Sequence, residues 1–163
     1  TDVTGVGTAR QELAACEYGG DKGIFGFGTT GSNVSMTNLV SNAGVVATDV
    51  TGVGTVRRLL AACSYGYDKG IFGFGTGVAD YSLTNLVSNA GVVATDVTGV
   101  GTAVYGSAAT QYGGDKGIFG YGYRTAGAAL TAVTNLVSNA GVVATDTTGV
   151  GTARWIPGAC SFN

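Results

Sequence analysis

The octapeptide TDVTGVGT starts at Thr1, Thr48 and Thr95, and a variant, TDTTGVGT, starts at Thr145. Between these marks the chain copies itself almost word for word. YGGDKGIFGFG at 18–28 returns as YGYDKGIFGFG at 65–75 and as YGGDKGIFGYG at 112–122, and TNLVSNAGVVATD closes each copy. The spacing, about 47 to 50 residues, divides the chain into units 1–47, 48–94 and 95–144, with a partial unit at 145–163. Periods of this length belong to solenoids, propellers and arrays, in which a unit too small to bury its own apolar face stacks on its neighbours. The chain is therefore expected to be a single repeat domain over 1–163.

What each unit contains decides among these architectures. Helical propensity is confined to ARQELAAC (9–16), and its counterpart AVYGSAAT (103–110) carries a glycine and β-branched residues, so a shared helix is a poor reading. Four short strands bounded by glycine-bearing turns fit better: in the first unit 9–18, 22–28, 35–41 and 45–51. GGDK joins the first pair and SNAG (41–44) the last, both turn sequences that accommodate positive φ. Four antiparallel strands in a unit of this length is the content of a propeller blade. The predicted fold is all-β, a β-propeller of four-stranded blades. Asp49, Asp96 and Asp146 would then sit on the outermost strand, where a charge opposes edge-to-edge pairing.

The residues TARQELAACEYGGDKGIFGFG resemble a kelch motif: an arginine, a small-residue strand, a glycine turn, an aromatic strand, then glycines. FGFG stands where kelch repeats pair two glycines, and the late tryptophan of that pattern is missing. Together with TNLVSNAGVVATD, the phrase is also similar to repeat proteins of tailed phages and marine viral metagenomes. That resemblance implies a propeller and, for localisation, a soluble, virion-associated protein; folds of this kind carry unrelated functions.

Three units cannot close a ring that typically needs four to eight blades. Head-to-tail pairing of two chains would give a six-bladed ring. Residues 1–7 and 152–163 repeat a fourth and a first strand, so they can act as a clasp across the chain junction or build toward a seventh blade. The missing initiator Met marks the chain as an expected trimmed or processed product.

Composition removes several functions. A net charge of −2 and 11% charged residues leave no basic footprint for nucleic acid or a membrane surface. No apolar run is long enough for a transmembrane helix. With zero His, neither a Ser-His-Asp set nor a Tyr and His copper site can be assembled. Cys16, Cys63 and Cys160 share a register, Thr110 replacing the thiol in the third unit. Without CxxC spacing they read as a small buried residue copied by duplication, not as a metal site. GFGTTG (26–31) matches a dinucleotide fingerprint only formally, since a strand-like segment follows it. The pairs Asp21–Lys22, Asp68–Lys69 and Asp115–Lys116 read as solvated turns. NVS (33–35) is a glycosylation sequon without a secretory context. No cofactor is expected.

The copies differ in two windows. One holds RQEL (10–13), RRLL (57–60), VYGS (104–107) and RWIP (154–157); the other holds 29–35, 76–82 and 123–132. In an up-down-up-down unit both emerge at one end of the sheet, and the invariant turns at the other. Binding residues concentrate on loops carried by a rigid scaffold, and Arg and aromatic side chains dominate hot spots. Arg57, Arg58, Tyr81, Tyr105, Tyr123, Arg124 and Trp155 are therefore the candidate ligand-binding residues, for a glycan or a protein. The expected function is non-catalytic binding or display. A structural subunit with no ligand is the alternative, and a carbohydrate-active enzyme using Glu12 and Asp80 is the thinner one.

Overall fold

The computed structural model describes residues 4–162 and contains no helix among them. Each full unit folds into one three-stranded antiparallel sheet with its strands in chain order. The first sheet consists of β1 (Ala14–Tyr18), β2 (Lys22–Gly26) and β3 (Thr37–Val40). The second consists of β4 (Ala61–Tyr65), β5 (Lys69–Gly73) and β6 (Thr84–Val87). The third consists of β7 (Ala108–Tyr112), β8 (Lys116–Arg124) and β9 (Ala129–Val137). The register repeats: Cys16 faces Ile24, Cys63 faces Ile71 and Thr110 faces Ile118. All-β architecture follows from the glycine-punctuated strands, and the helical hint at 9–16 loses to β1.

The expected fourth strand does not form. Segment 45–51 meets β3 only at isolated bridges, Val46 with Val40 and Val50 with Thr37. Between them the Asn38 side chain donates to Ala47 O (3.1 Å) and to Asp49 Oδ1 (2.9 Å), so side-chain bonds replace the ladder. Asp49 in turn accepts from the Thr8 amide and hydroxyl, the latter at 2.6 Å. Asp96 holds Thr55 and Asp146 holds Thr102 in the same way. The conserved aspartate of each unit is thus a latch that ties the unit's last segment to its first, not a bare charge on a strand edge. The other boundaries shift for a backbone reason. Glu12 (φ 58°) and Phe27 (φ 62°) are left-handed, which starts β1 later and ends β2 earlier than expected.

The sheets stack face to face along their first two strands: β1 approaches β4 and β5, and β4 approaches β7 and β8. One apolar cluster fills each junction. Tyr18, Ile24, Phe27 and Leu60 pack with Phe72 in the first, and Cys63, Tyr65, Ile71 and Phe74 pack with Phe119 in the second. Ring pairs cross each junction, Phe27–Phe72 at 5.3 Å and Phe74–Phe119 at 5.1 Å between centroids. Burying one such ring stabilises the stack by roughly 1.5–3 kcal/mol. Close approach needs glycine: a Cβ on Gly26 would lie 2.8 Å from the Phe72 ring, and one on Gly73 would lie 2.7 Å from Phe119.

Candidate ligand site at the variable end

Both variable windows emerge at one end of the stack, as strand direction requires. Backbone bridges Gln11–Thr29, Arg58–Thr76 and Tyr105–Tyr123 join them within each unit. Across units a second ladder joins each sheet's window to the next. Leu59 N donates to Glu12 O (3.0 Å), Gly106 N to Leu59 O (2.8 Å) and Ile156 N to Gly106 O (2.8 Å). All four residues are left-handed, at φ 58°, 52°, 60° and 51°. Only Gly106 takes that conformation freely; for Glu12, Leu59 and Ile156 the ladder must hold it, at a cost on the order of 1 kcal/mol each.

Along this ladder the equivalent positions Gln11, Arg58, Tyr105 and Trp155 stand side by side. Arg58, Tyr105 and Trp155 line a cavity of about 440 Å³ whose floor includes Glu12 and Leu59. Arg58 reaches back across the unit boundary and donates to Glu12 Oε2 at 2.7 Å. The Trp155 indole lies over Gly106, where any side chain would collide with it. Tyr105 sits edge-on to Tyr123 (5.5 Å) and to Trp155 (6.1 Å), and Tyr123 completes the trio at 6.4 Å from Trp155. Trp155 itself remains 48% exposed. The arrangement presents tilted aromatic faces beside one carboxylate–guanidinium pair, chemistry suited to recognition of an amphipathic ring.

A scan against protein-family models finds no match to this chain, and a search of curated proteins finds none either.

Of the seven candidates, Arg58, Tyr105 and Trp155 line this cavity, and Tyr123 packs behind two of them, against Tyr105 and Trp155. Arg57 does neither. Its guanidinium is fully buried, donating to Phe74 O (2.8 Å), Asn85 Oδ1 (2.6 Å) and Thr55 O (3.2 Å), with the Phe27 ring 4.4 Å away. Burial pulls its pKa down to about 10, while Asp96 opposes that shift. Arg58 parts from it just before the left-handed turn at Leu59 (φ 52°), bridging Thr76 instead of entering the core. Tyr81 is half-buried in its own turn, against Gly77, and Arg124 is exposed at the end of β8. The third unit's long window is not a loose loop but a continuation of β8 and β9, pairing Tyr123 with Leu130 and Arg124 with Ala129.

Glu12, Leu59 and Thr76 also line the cavity. Glu12 was legible as one of two acids in the windows, whereas Leu59 carried no signal. Asp80, the other acid, accepts from the Thr125 amide (2.6 Å) and hydroxyl (3.2 Å) and from Thr76 Oγ1 (3.0 Å), pinning the second unit's loop to the third unit's hairpin. Burial pushes the Cys16 and Cys63 thiols up to about 12, and each sulfur packs on a glycine of the next sheet, Gly70 and Gly117. Cys160 lies apart in the exposed C-terminal segment.

Proposed function

We propose that this protein is a non-catalytic binding scaffold, a kelch-like propeller arc whose variable end takes a glycan. The reading makes each sheet, with its bridged outer segment, one blade. Two chains complete a ring of six blades, or seven if the terminal segments contribute one. The observation that carries the ligand assignment is the convergence of Tyr105, Tyr123 and Trp155 beside the Glu12–Arg58 pair on an otherwise copied framework. A cavity of this size accommodates one or two sugar rings, their C–H faces on the aromatic rings and their hydroxyls on the charged pair. The acids favour binding over hydrolysis. Glycoside cleavage uses two free carboxyl groups across the bond, whereas Glu12 is engaged by Arg58 and Asp80 by Thr76 and Thr125. The likeness to phage repeat proteins makes a host-surface glycan the natural target class.

The test is a glycan array followed by titration of any hit. Binding is expected, and Trp155→Ala or Tyr105→Ala should weaken it roughly tenfold or more, the value of one aromatic hot-spot contact. A blank array, or affinity indifferent to both substitutions, leaves the alternative of a structural subunit without a ligand.

A further inference from the structure

The two ends of the stack are complementary in the way the internal junctions are. At the first junction Phe72 covers Gly26 and is 0% exposed; at the second Phe119 covers Gly73 and is 1% exposed. The equivalent knob of the first sheet, Phe25, is 40% exposed, and the equivalent notch of the third sheet, Gly120, faces no ring, its near neighbours being Thr134 and Val133 of its own sheet. A second contact repeats the pattern. Gly91 lies against the Tyr18 ring and Leu39, and Gly141 lies against the Tyr65 ring and Leu86. Their counterpart Gly44 touches nothing within 4 Å, while the third sheet leaves Tyr112 37% and Leu136 39% exposed. The head of one molecule therefore carries what the tail of another lacks, position by position.

Backbone bonds show who occupies that seat in a single chain. The internal junctions use Gly28 N to Arg57 O (3.0 Å) and Gly75 N to Val104 O (2.9 Å), besides the left-handed ladder. At the third sheet the same two donor-acceptor places are filled from within: Gly122 N donates to Arg154 O (3.0 Å) and Ile156 N to Gly106 O (2.8 Å). Residues 154–156 thus stand where Arg10–Glu12 of another copy would stand. Gly113 N, the counterpart of Gly19 N and Gly66 N, which donate to Asp68 O and Asp115 O, has no backbone acceptor among the described residues.

We propose that a second copy seats head-to-tail on the third sheet, Phe25 over Gly120 and Gly44 against Tyr112, and that its Arg10–Glu12 strip displaces residues 154–156 of the first. The C-terminal segment is then a built-in competitor for assembly. This inference rests on completion of the ring by a second chain and names the surface and the segment that must move. It also makes the two parts of the proposed function alternative states: the cavity lined by Trp155 belongs to the single chain, and closing a two-chain ring removes Trp155 and Ile156 from both copies of it. A head-to-tail contact closes into a ring when its rotation permits and otherwise extends.

Sedimentation velocity of the full chain over a wide concentration range tests it. Mass should rise with concentration in multiples of the chain. Phe25→Lys and Tyr112→Lys alter side chains already exposed in the single chain, so each variant should keep the parent's melting behaviour yet stay at single-chain mass. Mixed, they should recover a two-chain species, because one intact head meets one intact tail. Ile156→Pro removes one of the two backbone bonds that hold the C-terminal segment and should shift assembly to a roughly tenfold lower concentration. A parent that stays at single-chain mass throughout overturns both this seat and the ring. Assembly that persists in Phe25→Lys, or fails to return on mixing, overturns the seat and leaves the ring standing. An Ile156→Pro variant that assembles no more readily than the parent overturns the competition.

Discussion

The two ends of each sheet share backbone bonds between units, such as Gly19 N to Asp68 O at the invariant end, but differ in the side-chain bonds they repeat from copy to copy. At the invariant end, Asp21 accepts from Lys22 (3.0 Å) and Asn42 (2.9 Å), Asp68 from Lys69 and Asn89, and Asp115 from Lys116 and Asn139. Every one of those contacts needs a particular side chain at both partners. At the variable end the units are joined through amides and carbonyls of Glu12, Leu59, Gly106 and Ile156, four residue types at one position. A backbone ladder is indifferent to side-chain identity, so that end can change its chemistry without losing its geometry. Repetition in this chain marks side-chain latches, and divergence marks places where the main chain carries the load.

Arg57 and its first-unit equivalent Arg10 are the exceptions that sharpen this contrast, since both lie in a variable window and both are latches. Arg57→Ala should give the largest loss of stability, about 3 kcal/mol in urea unfolding, by leaving a cavity where the fully buried side chain stood. Arg57→Val should cost less than half of that. The third unit already uses Val104 there, 3% exposed, while Asn135 keeps its bonds to Ala144 O and Asp146. Equal losses for the two variants would mean that the arginine's charge, not its volume, holds the second unit together.

Acid should act on both sets of aspartates. Hydrogen bonds from Thr8 and Asn38 hold the Asp49 carboxyl below its ordinary value of 3.8, and those from Lys22 and Asn42 do the same for Asp21. Burial works against the shift at Asp96, but Thr55 and Asn85 still pull it down. Depressed carboxyl values mean that the unfolded chain takes up protons first. Their contribution is complete above the ordinary value and is lost as pH falls through it toward the lower, folded values. Melting temperature should therefore be flat from neutral pH to about pH 5 and fall steadily below it. The fall should be shallower in Asp96→Asn, whose midpoint at neutral pH is already lowered. A melting temperature unchanged down to pH 3 would remove the latches from the account.

Much of the fold was legible because its determinants are local. Glycine turns such as GGDK and SNAG, and the alternating β1 and β2 residues, specify hairpins wherever they occur. The fourth strand was not, because Asn38 and Asp49 replace its ladder through a contact 11 residues apart that no periodicity records. The site was half-legible for the same reason. Strand direction put both windows at one end, which recovered Arg58, Tyr105, Tyr123 and Trp155. Whether a residue in a window points outward depends on left-handed backbone at Glu12 and Leu59, non-glycine positions that carry no sequence signal. Arg57 and Arg58 could not be told apart without it.

The smallest effect expected on stability belongs to Arg58→Ala, next to the residue with the largest. Its pair with Glu12 is short, at 2.7 Å, but both side chains remain partly in water, 42% and 29% exposed. Exposed pairs contribute roughly 0.2–1 kcal/mol, and the backbone bond between Leu59 and Glu12 survives the substitution. Urea unfolding of Arg58→Ala should thus nearly superimpose on the parent, while glycan affinity falls, because the guanidinium is the cavity's cationic donor. A stability loss matching that of Arg57→Ala would show that the variable end is held by its side chains after all. The distinction between latched and laddered ends would then have to be abandoned.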